Sequence, residues 1–85
     1  MMPTKQGQIC KIINPKPDEN PFEAYIVTED VKDYPNGAII QLVSITNLQR
    51  NISNPSLAPR KAIAKNELDV EAEDLKSYVE SWNKK

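Results

Sequence analysis

The sequence predicts a mostly β domain, in which about five short strands form a small antiparallel barrel and an amphipathic helix follows at the C-terminal end. Its 85 residues suffice for one domain only. The apolar segments before residue 72 are short, rich in β-branched residues and separated by Pro, Asn and Gly, a pattern typical of strands joined by turns. We therefore expect a single domain over residues 1–85, with the barrel over residues 6–71 and the helix over residues 72–85.

The first strand is followed by a proline-rich connection. Residues 8–14 form a short segment with three β-branched isoleucines, and Pro15 ends it. Residues 15–21 contain three prolines, which neither continue a helix nor donate to a β-ladder. We expect a rigid, extended loop here.

Residues 22–29 predict the second strand. Side chains alternate between the two faces of a strand, so Tyr25 and Val27 point to one face while Ala24 and Ile26 point to the other. We expect Tyr25 to pack in the core, because aromatic side chains mostly do so.

A turn and the most apolar strand come next. In residues 33–37, Pro35 presets one backbone angle, and Asn36 and Gly37 tolerate a positive φ, so the pattern predicts a short hairpin loop with a bulge. Residues 38–45 carry apolar side chains at both parities. Apolar residues at both odd and even positions predict a central strand that is covered on both faces, or a strand with one face left exposed for a partner.

The stretch before the last two strands is polar. Residues 46–60 are rich in Asn, Ser and Pro and predict a loop of about fifteen residues. Residues 61–65 and 68–70 predict two short strands separated by a turn. A competing interpretation begins the terminal helix at Asn66, with the Asn66 side chain as its cap.

The C-terminal segment has helical periodicity. Its apolar residues lie at positions i, i+3, i+4 and i+7, which puts them on one helical stripe: Leu75, Tyr78, Val79 and Trp82. The stripe is expected to cover one end of the barrel. The alternative is a surface for a partner or for a homodimer, because Tyr and Trp are frequent anchors of interfaces.

Composition excludes several chemistries. There is no histidine, which removes Ser-His and Cys-His nucleophile pairs and histidine metal sites. Cys10 is the one cysteine, so no internal disulfide and no cysteine zinc site can form, and a reducing compartment such as the cytoplasm is expected. The acids near the C-terminus lack the glycine and the spacing of a calcium loop. We therefore expect a non-enzymatic protein with no cofactor, no metal, no signal peptide and no membrane span.

Two segments resemble the SH3-like small β-barrel group, which includes KOW- and Tudor-type modules. They are the opening Gly-Gln-Ile-Cys-Lys-Ile of residues 7–12 and the closing Ile-Ala-Lys-Asn-Glu-Leu-Asp-Val of residues 63–70. The resemblance covers about residues 6–71. It implies an SH3-like antiparallel barrel that serves as a binding module.

A second resemblance is to the barrel of MazF/PemK-type ribonuclease toxins. Gly7-Gln8-Ile9, Pro15, Glu19 and Thr46 match positions of that pattern, whereas the family's arginine before the second strand is absent, since Glu23 and Ala24 stand there. This resemblance implies a diverged ribonuclease that uses Thr46 and Arg50.

Two sets of residues are candidates for binding. A protein partner, the first expectation, would contact aromatic side chains and the stiff loop, namely Tyr34, Pro17, Pro21, Tyr78 and Trp82. A nucleic acid, the alternative, would contact residues 45–65, where no acid accompanies the basic residues Arg50, Arg60, Lys61 and Lys65. The alternative without a binding role is that Tyr34 caps the hairpin and that the basic stretch is solvated.

Overall fold

The computed structural model describes residues 1–54 and 57–83, and the side chains of residues 81–83 lie outside the description. The strands are β1 (Ile9–Ile12), β2 (Tyr25–Val27), β3 (Ile39–Ser44), β4 (Arg60–Ala64) and β5 (Leu68–Ala72). The helices are α1 (Ile45–Arg50) and α2 (Leu75–Asn83), and a turn of 3₁₀ helix, Lys65–Glu67, separates β4 from β5.

The five strands form one antiparallel sheet in the order β4-β3-β2-β1-β5. This confirms the mostly β class and a helix near the C-terminal end. Strands β4 and β5 are the two edges, so the ladder is open. A closed barrel is therefore not what the strand pairing shows.

The sheet has apolar side chains on both faces. The larger core cluster lies on one face and draws on all five strands: Cys10, Tyr25, Val27, Val31, Ile40, Leu42, Ile63 and Leu68. The second cluster consists of Ile9, Ala24 and Ile45, with Ile26, Ala72 and Tyr78 packed against it. The alternation predicted for the second strand is confirmed, since Tyr25 and Val27 belong to the first cluster while Ala24 and Ile26 belong to the second.

The connection between β2 and β3 is longer than the hairpin that the sequence predicts. Strand β2 ends at Val27 and β3 begins at Ile39, so eleven residues intervene. No residue other than Gly7 has a positive φ among the described residues, so Asn36 and Gly37 do not adopt the positive-φ hairpin conformation that the sequence predicts. They are instead the central residues of a turn closed by the hydrogen bond from Ala38 N to Pro35 O, and a second turn in the loop is closed by the bond from Tyr34 N to Val31 O.

Helix α1 corrects the prediction of a continuous loop after β3. The Ser44 hydroxyl accepts a hydrogen bond from Asn47 N at 3.0 Å, which caps the helix, and Ile45 is buried beneath it. A helix of six residues is marginal by itself. The cap and the burial of Ile45 stabilise it, and neither follows from propensity.

The start of α2 excludes the alternative in which the terminal helix begins at Asn66. Residues 68–72 pair with β1 as β5, and the helix begins at Leu75. The buried Gln8 ties this region to the N-terminal segment, because its Oε1 accepts from Thr4 N and Lys5 N while its Nε2 donates to Glu73 Oε2 at 3.0 Å.

Cys10 is a buried free thiol, as a small apolar core residue would be. Burial, assisted by the nearby Asp69 carboxylate, raises the pKa of the Cys10 thiol to about 12. The thiol is therefore neutral near pH 7 and is a poor nucleophile.

Lys65 is a buried cation with a structural task. Its Nζ donates to the carbonyl oxygens of Val31 at 2.7 Å, Tyr34 at 3.0 Å and Lys32 at 3.3 Å. Only 4% of Lys65 is exposed. The ammonium thus holds the long β2–β3 loop against the turn between β4 and β5, and it does not lie at the surface, where a phosphate contact would need it.

We expect Lys65→Met to lower the free energy of unfolding by about 1–3 kcal/mol, because the buried loop carbonyls lose a charged donor. Urea denaturation measures this change. The control is Lys32→Met, whose exposed side chain is expected to change stability by less than about 0.5 kcal/mol. Equal stability of the two variants would contradict the structural role of Lys65.

Candidate functional site

An apolar groove of about 200 Å³ lies between α1 and α2. Its lining consists of five aliphatic side chains and one amide: Ile45, Leu48, Gln49, Ile52, Leu75 and Val79. Among the side chains that the structure describes, no charged one lines the groove. Ile52 is 77% exposed, and Leu75 and Val79 are also exposed, so the groove is open to a partner and unfilled by this chain's described residues.

A smaller cleft of about 160 Å³ adjoins the groove and shares Ile45 and Gln49 with it. Phe22 lies at this cleft and Tyr78 is a further wall. Phe22 is 82% exposed, a large apolar side chain left in water. Phe22 and the groove therefore belong to one continuous surface, which we call the α1–α2 face.

The chain fixes Phe22 at the end of the proline-rich loop. Phe22 N donates to Asn20 Oδ1 at 2.9 Å, and Glu23 N donates to Asn20 O at 3.1 Å. Glu23 then accepts from the first turn of α1, through Thr46 N at 3.2 Å and the Thr46 hydroxyl at 3.0 Å. These bonds join the backbone that carries Phe22 to the helix that carries the groove.

A polar pocket of about 310 Å³ lies on the other side of α1. Glu23, Tyr25, Ser44, Thr46, Arg60 and Lys61 line it. Burial raises the pKa of the Tyr25 phenol, although the nearby Lys61 ammonium opposes the shift. The pocket places the Tyr25 and Ser44 hydroxyls beside two cations, which suits an anionic ligand, while the Glu23 carboxylate in the same lining is bound to the Thr46 hydroxyl.

Glu19 connects the proline-rich loop to β4. Its Oε2 lies 2.8 Å from Lys61 Nζ, and its Oε1 accepts from Lys16 N at 2.8 Å. The Lys16 N–H bond and then the Lys61 ammonium lower the pKa of Glu19. The ion pair neutralises one of the two cations of the polar pocket.

The structure separates the residues predicted to bind a protein. Tyr78 lies on the α1–α2 face, half-buried. Pro17 and Pro21 are exposed in the loop, and Tyr34 lies in the β2–β3 loop, where the Glu29 carboxylate raises the pKa of its phenol. The Trp82 side chain lies outside the described residues.

The residues predicted to bind a nucleic acid are also dispersed. Arg60 and Lys61 meet at the polar pocket, whereas Arg50 is exposed in the last turn of α1 and does not line the pocket. Lys65 is buried, as described above. Thr46 and Arg50, the pair that the toxin resemblance implies, therefore do not share this pocket.

Sequence reasoning missed Phe22 and the α1 wall of the groove. The sequence analysis places Phe22 in a strand, and it places Leu48 and Ile52 in a loop. A signal was present, because Ile45, Leu48 and Ile52 have the spacing i, i+3 and i+7 of a helical face and follow a serine that can cap.

Residues 1–54 and 57–83 hold neither a metal-binding cluster nor a membrane-spanning helix. No group of three or more Cys, Asp or Glu side chains there could hold a metal ion. In the same residues, no helix has both the length and the apolar character to cross a membrane.

Comparison with protein-family models, with curated proteins and with solved structures found no match for this chain.

The link between the proline-rich loop and β4 is expected to depend on pH. Because the folded-state pKa of Glu19 lies below its ordinary value of 4.5, the contact stabilises the fold fully above about pH 4.5 and is lost as the pH falls through the lower folded-state value. An NMR titration of the Glu19 carboxyl carbon and the Lys16 amide measures this transition. In Glu19→Gln the Lys16 amide is expected to lose the transition. A midpoint at or above 4.5 in the unsubstituted protein would contradict the contact.

Proposed function

We propose that this chain is a non-enzymatic protein-interaction module that binds its partner through the α1–α2 face. The observation that carries the proposal is the uncharged groove beside the exposed Phe22. Contiguous apolar surface of this kind is the usual mark of a protein interface in a soluble chain. A net charge of -1 adds little electrostatic preference for a polyanion.

The surface has the composition of an interface centre. Aliphatic walls are flanked by the aromatic side chains of Phe22 and Tyr78, while charged groups lie outside the groove. The hydrogen bond that Phe22 N donates to Asn20 Oδ1 reduces the backbone freedom that binding would otherwise remove.

An SH3-like barrel as the scaffold, and the cytoplasm as the location, belong to the same proposal. Both edge strands contribute to one core cluster, through Ile63 of β4 and Leu68 of β5, which supports a sheet curled toward closure. The single buried thiol of Cys10 supports a reducing compartment.

A photo-reactive amino acid at position 79 is expected to form an adduct with a protein partner in the source cells. The matched control places the same amino acid at Ile39, which is 63% exposed on β3 and does not line the groove. The readout is the mass of each adduct. Adducts at 79 and not at 39 are the expected result. No protein adduct at 79, or equal adducts at both positions, would contradict the proposal.

A second candidate function is the binding of single-stranded RNA at the polar pocket. The specific observation is that exposed Arg60 lines this pocket and also the neighbouring cavity of about 320 Å³, within a stretch of chain that has no acid. Phosphate contacts by such cations are sensitive to salt. The toxin-type ribonuclease is a special case of this candidate that would further require Thr46 to act on the bound strand.

For this candidate, RNA affinity is expected to fall with salt, with a logarithmic slope of about -0.7 per phosphate contact. Arg60→Ala should weaken binding and flatten the slope, while Lys32→Ala, on the remote β2–β3 loop, should do neither. Fluorescence anisotropy with a labelled single-stranded RNA measures both. Binding that is insensitive to salt, or equal in the two variants, would exclude the pocket as the RNA site.

A further inference from the structure

The α1–α2 face holds a projection and a recess next to each other. Phe22 projects from one end, and the apolar groove is the recess at the other end. Ile45 and Gln49 lie between them and line both cavities. A surface that carries both halves of a contact is complementary to itself when a two-fold axis passes between the halves.

From this juxtaposition we infer that the partner of the α1–α2 face is a second copy of this chain, with Phe22 of each copy seated in the groove of the other. The inference rests on the proposed function and names its partner. The two contacts are related by the two-fold axis, which lies near Ile45 and Gln49.

The size and chemistry of the groove fit a phenyl ring. A dry cavity of about 150 Å³ with aliphatic walls accepts benzene, and this groove offers about 200 Å³ with five aliphatic walls. Gln49 supplies the one polar group of the lining and sits where it can remain at the rim. An aromatic anchor in an apolar recess is the usual centre of an interface.

The net charge of the chain opposes association with a second copy only weakly. Two copies, each of net charge -1, repel one another weakly. The described residues of the groove lining carry no charge that would have to be desolvated without a partner. A charged peptide would find no counter-charge among these residues.

Sedimentation equilibrium of the full chain tests the inference with two variants. Phe22→Ala removes the projection, and Val79→Glu places a carboxylate in the recess. Both positions are exposed, so the variants are expected to fold, and circular dichroism verifies this. The unsubstituted chain is expected to dimerise, and each variant to do so at least about tenfold more weakly.

Mixing the two variants gives the sharper test. A homodimer of either variant lacks both of the Phe22–groove contacts. A heterodimer of the two variants regains one of them, because Phe22 of the Val79→Glu chain can enter the intact groove of the Phe22→Ala chain. The mixture is therefore expected to form heterodimers more tightly than either variant forms homodimers. Ile39→Glu, away from the face, serves as the control and should dimerise like the unsubstituted chain.

Three results would overturn the inference. They are a chain that stays monomeric at every concentration, a dimer that both variants leave intact, and a mixture that associates no better than its components. The photo-crosslinking experiment at position 79 decides the proposed function separately. An adduct with a different protein would retain the interaction module and overturn the second copy as its partner. The absence of any adduct would remove the module itself.

Discussion

The structure depends on one constraint: a chain of 85 residues must cover both faces of a five-stranded sheet. A small domain buries a modest fraction of its surface, so apolar cover is scarce. The larger cluster includes side chains from all five strands, among them Ile63 and Leu68 from the two edges. The other face has only the two short helices to cover it, and its cluster holds three buried residues. The exposed apolar surface follows from this shortage, since α1 and α2 cover the sheet and leave their own facing sides open.

Periodicity explains which parts of the fold could be predicted. Strands β1, β3, β4 and β5 and helix α2 each have a local sequence pattern, either a short β-branched segment or a helical stripe, and the sequence analysis places all five within a few residues. The β2–β3 loop could not be predicted in the same way, because hydrogen bonds to residues distant in the sequence hold it. The local signal for α1, a capping serine and a helical spacing, spans fewer than ten residues, and a long-range contact supports the helix. The ammonium of Lys65 determines where the loop lies, and Ile45, packed between β1 and α2 residues, determines where the helix forms. Contacts of this kind leave no local pattern.

The parts of the candidate site also differ in whether a sequence pattern predicts them. The α2 side of the groove, Leu75 and Val79, follows from the helical stripe. The exposure of Phe22 does not follow from a sequence pattern, because two hydrogen bonds to Asn20 fix its position. These bonds end the proline-rich loop at Phe22, and two residues separate Phe22 from the start of β2. Because β2 starts at Tyr25 and not at residue 22, Phe22 lies outside the sheet and is exposed. Small shifts of a strand boundary therefore change which apolar residues remain for binding.

Helix α1 gives the molecule two surfaces of opposite physical character. Its first turn, with Thr46 held by Glu23, borders the polar pocket, while Ile45, Leu48 and Gln49 border the apolar groove. Salt separates the two, because screening weakens contacts between Arg60 and a phosphate while salts excluded from protein surfaces strengthen apolar burial. Any ligand that binds near α1 thus reveals by the sign of its salt dependence which side of the helix it occupies.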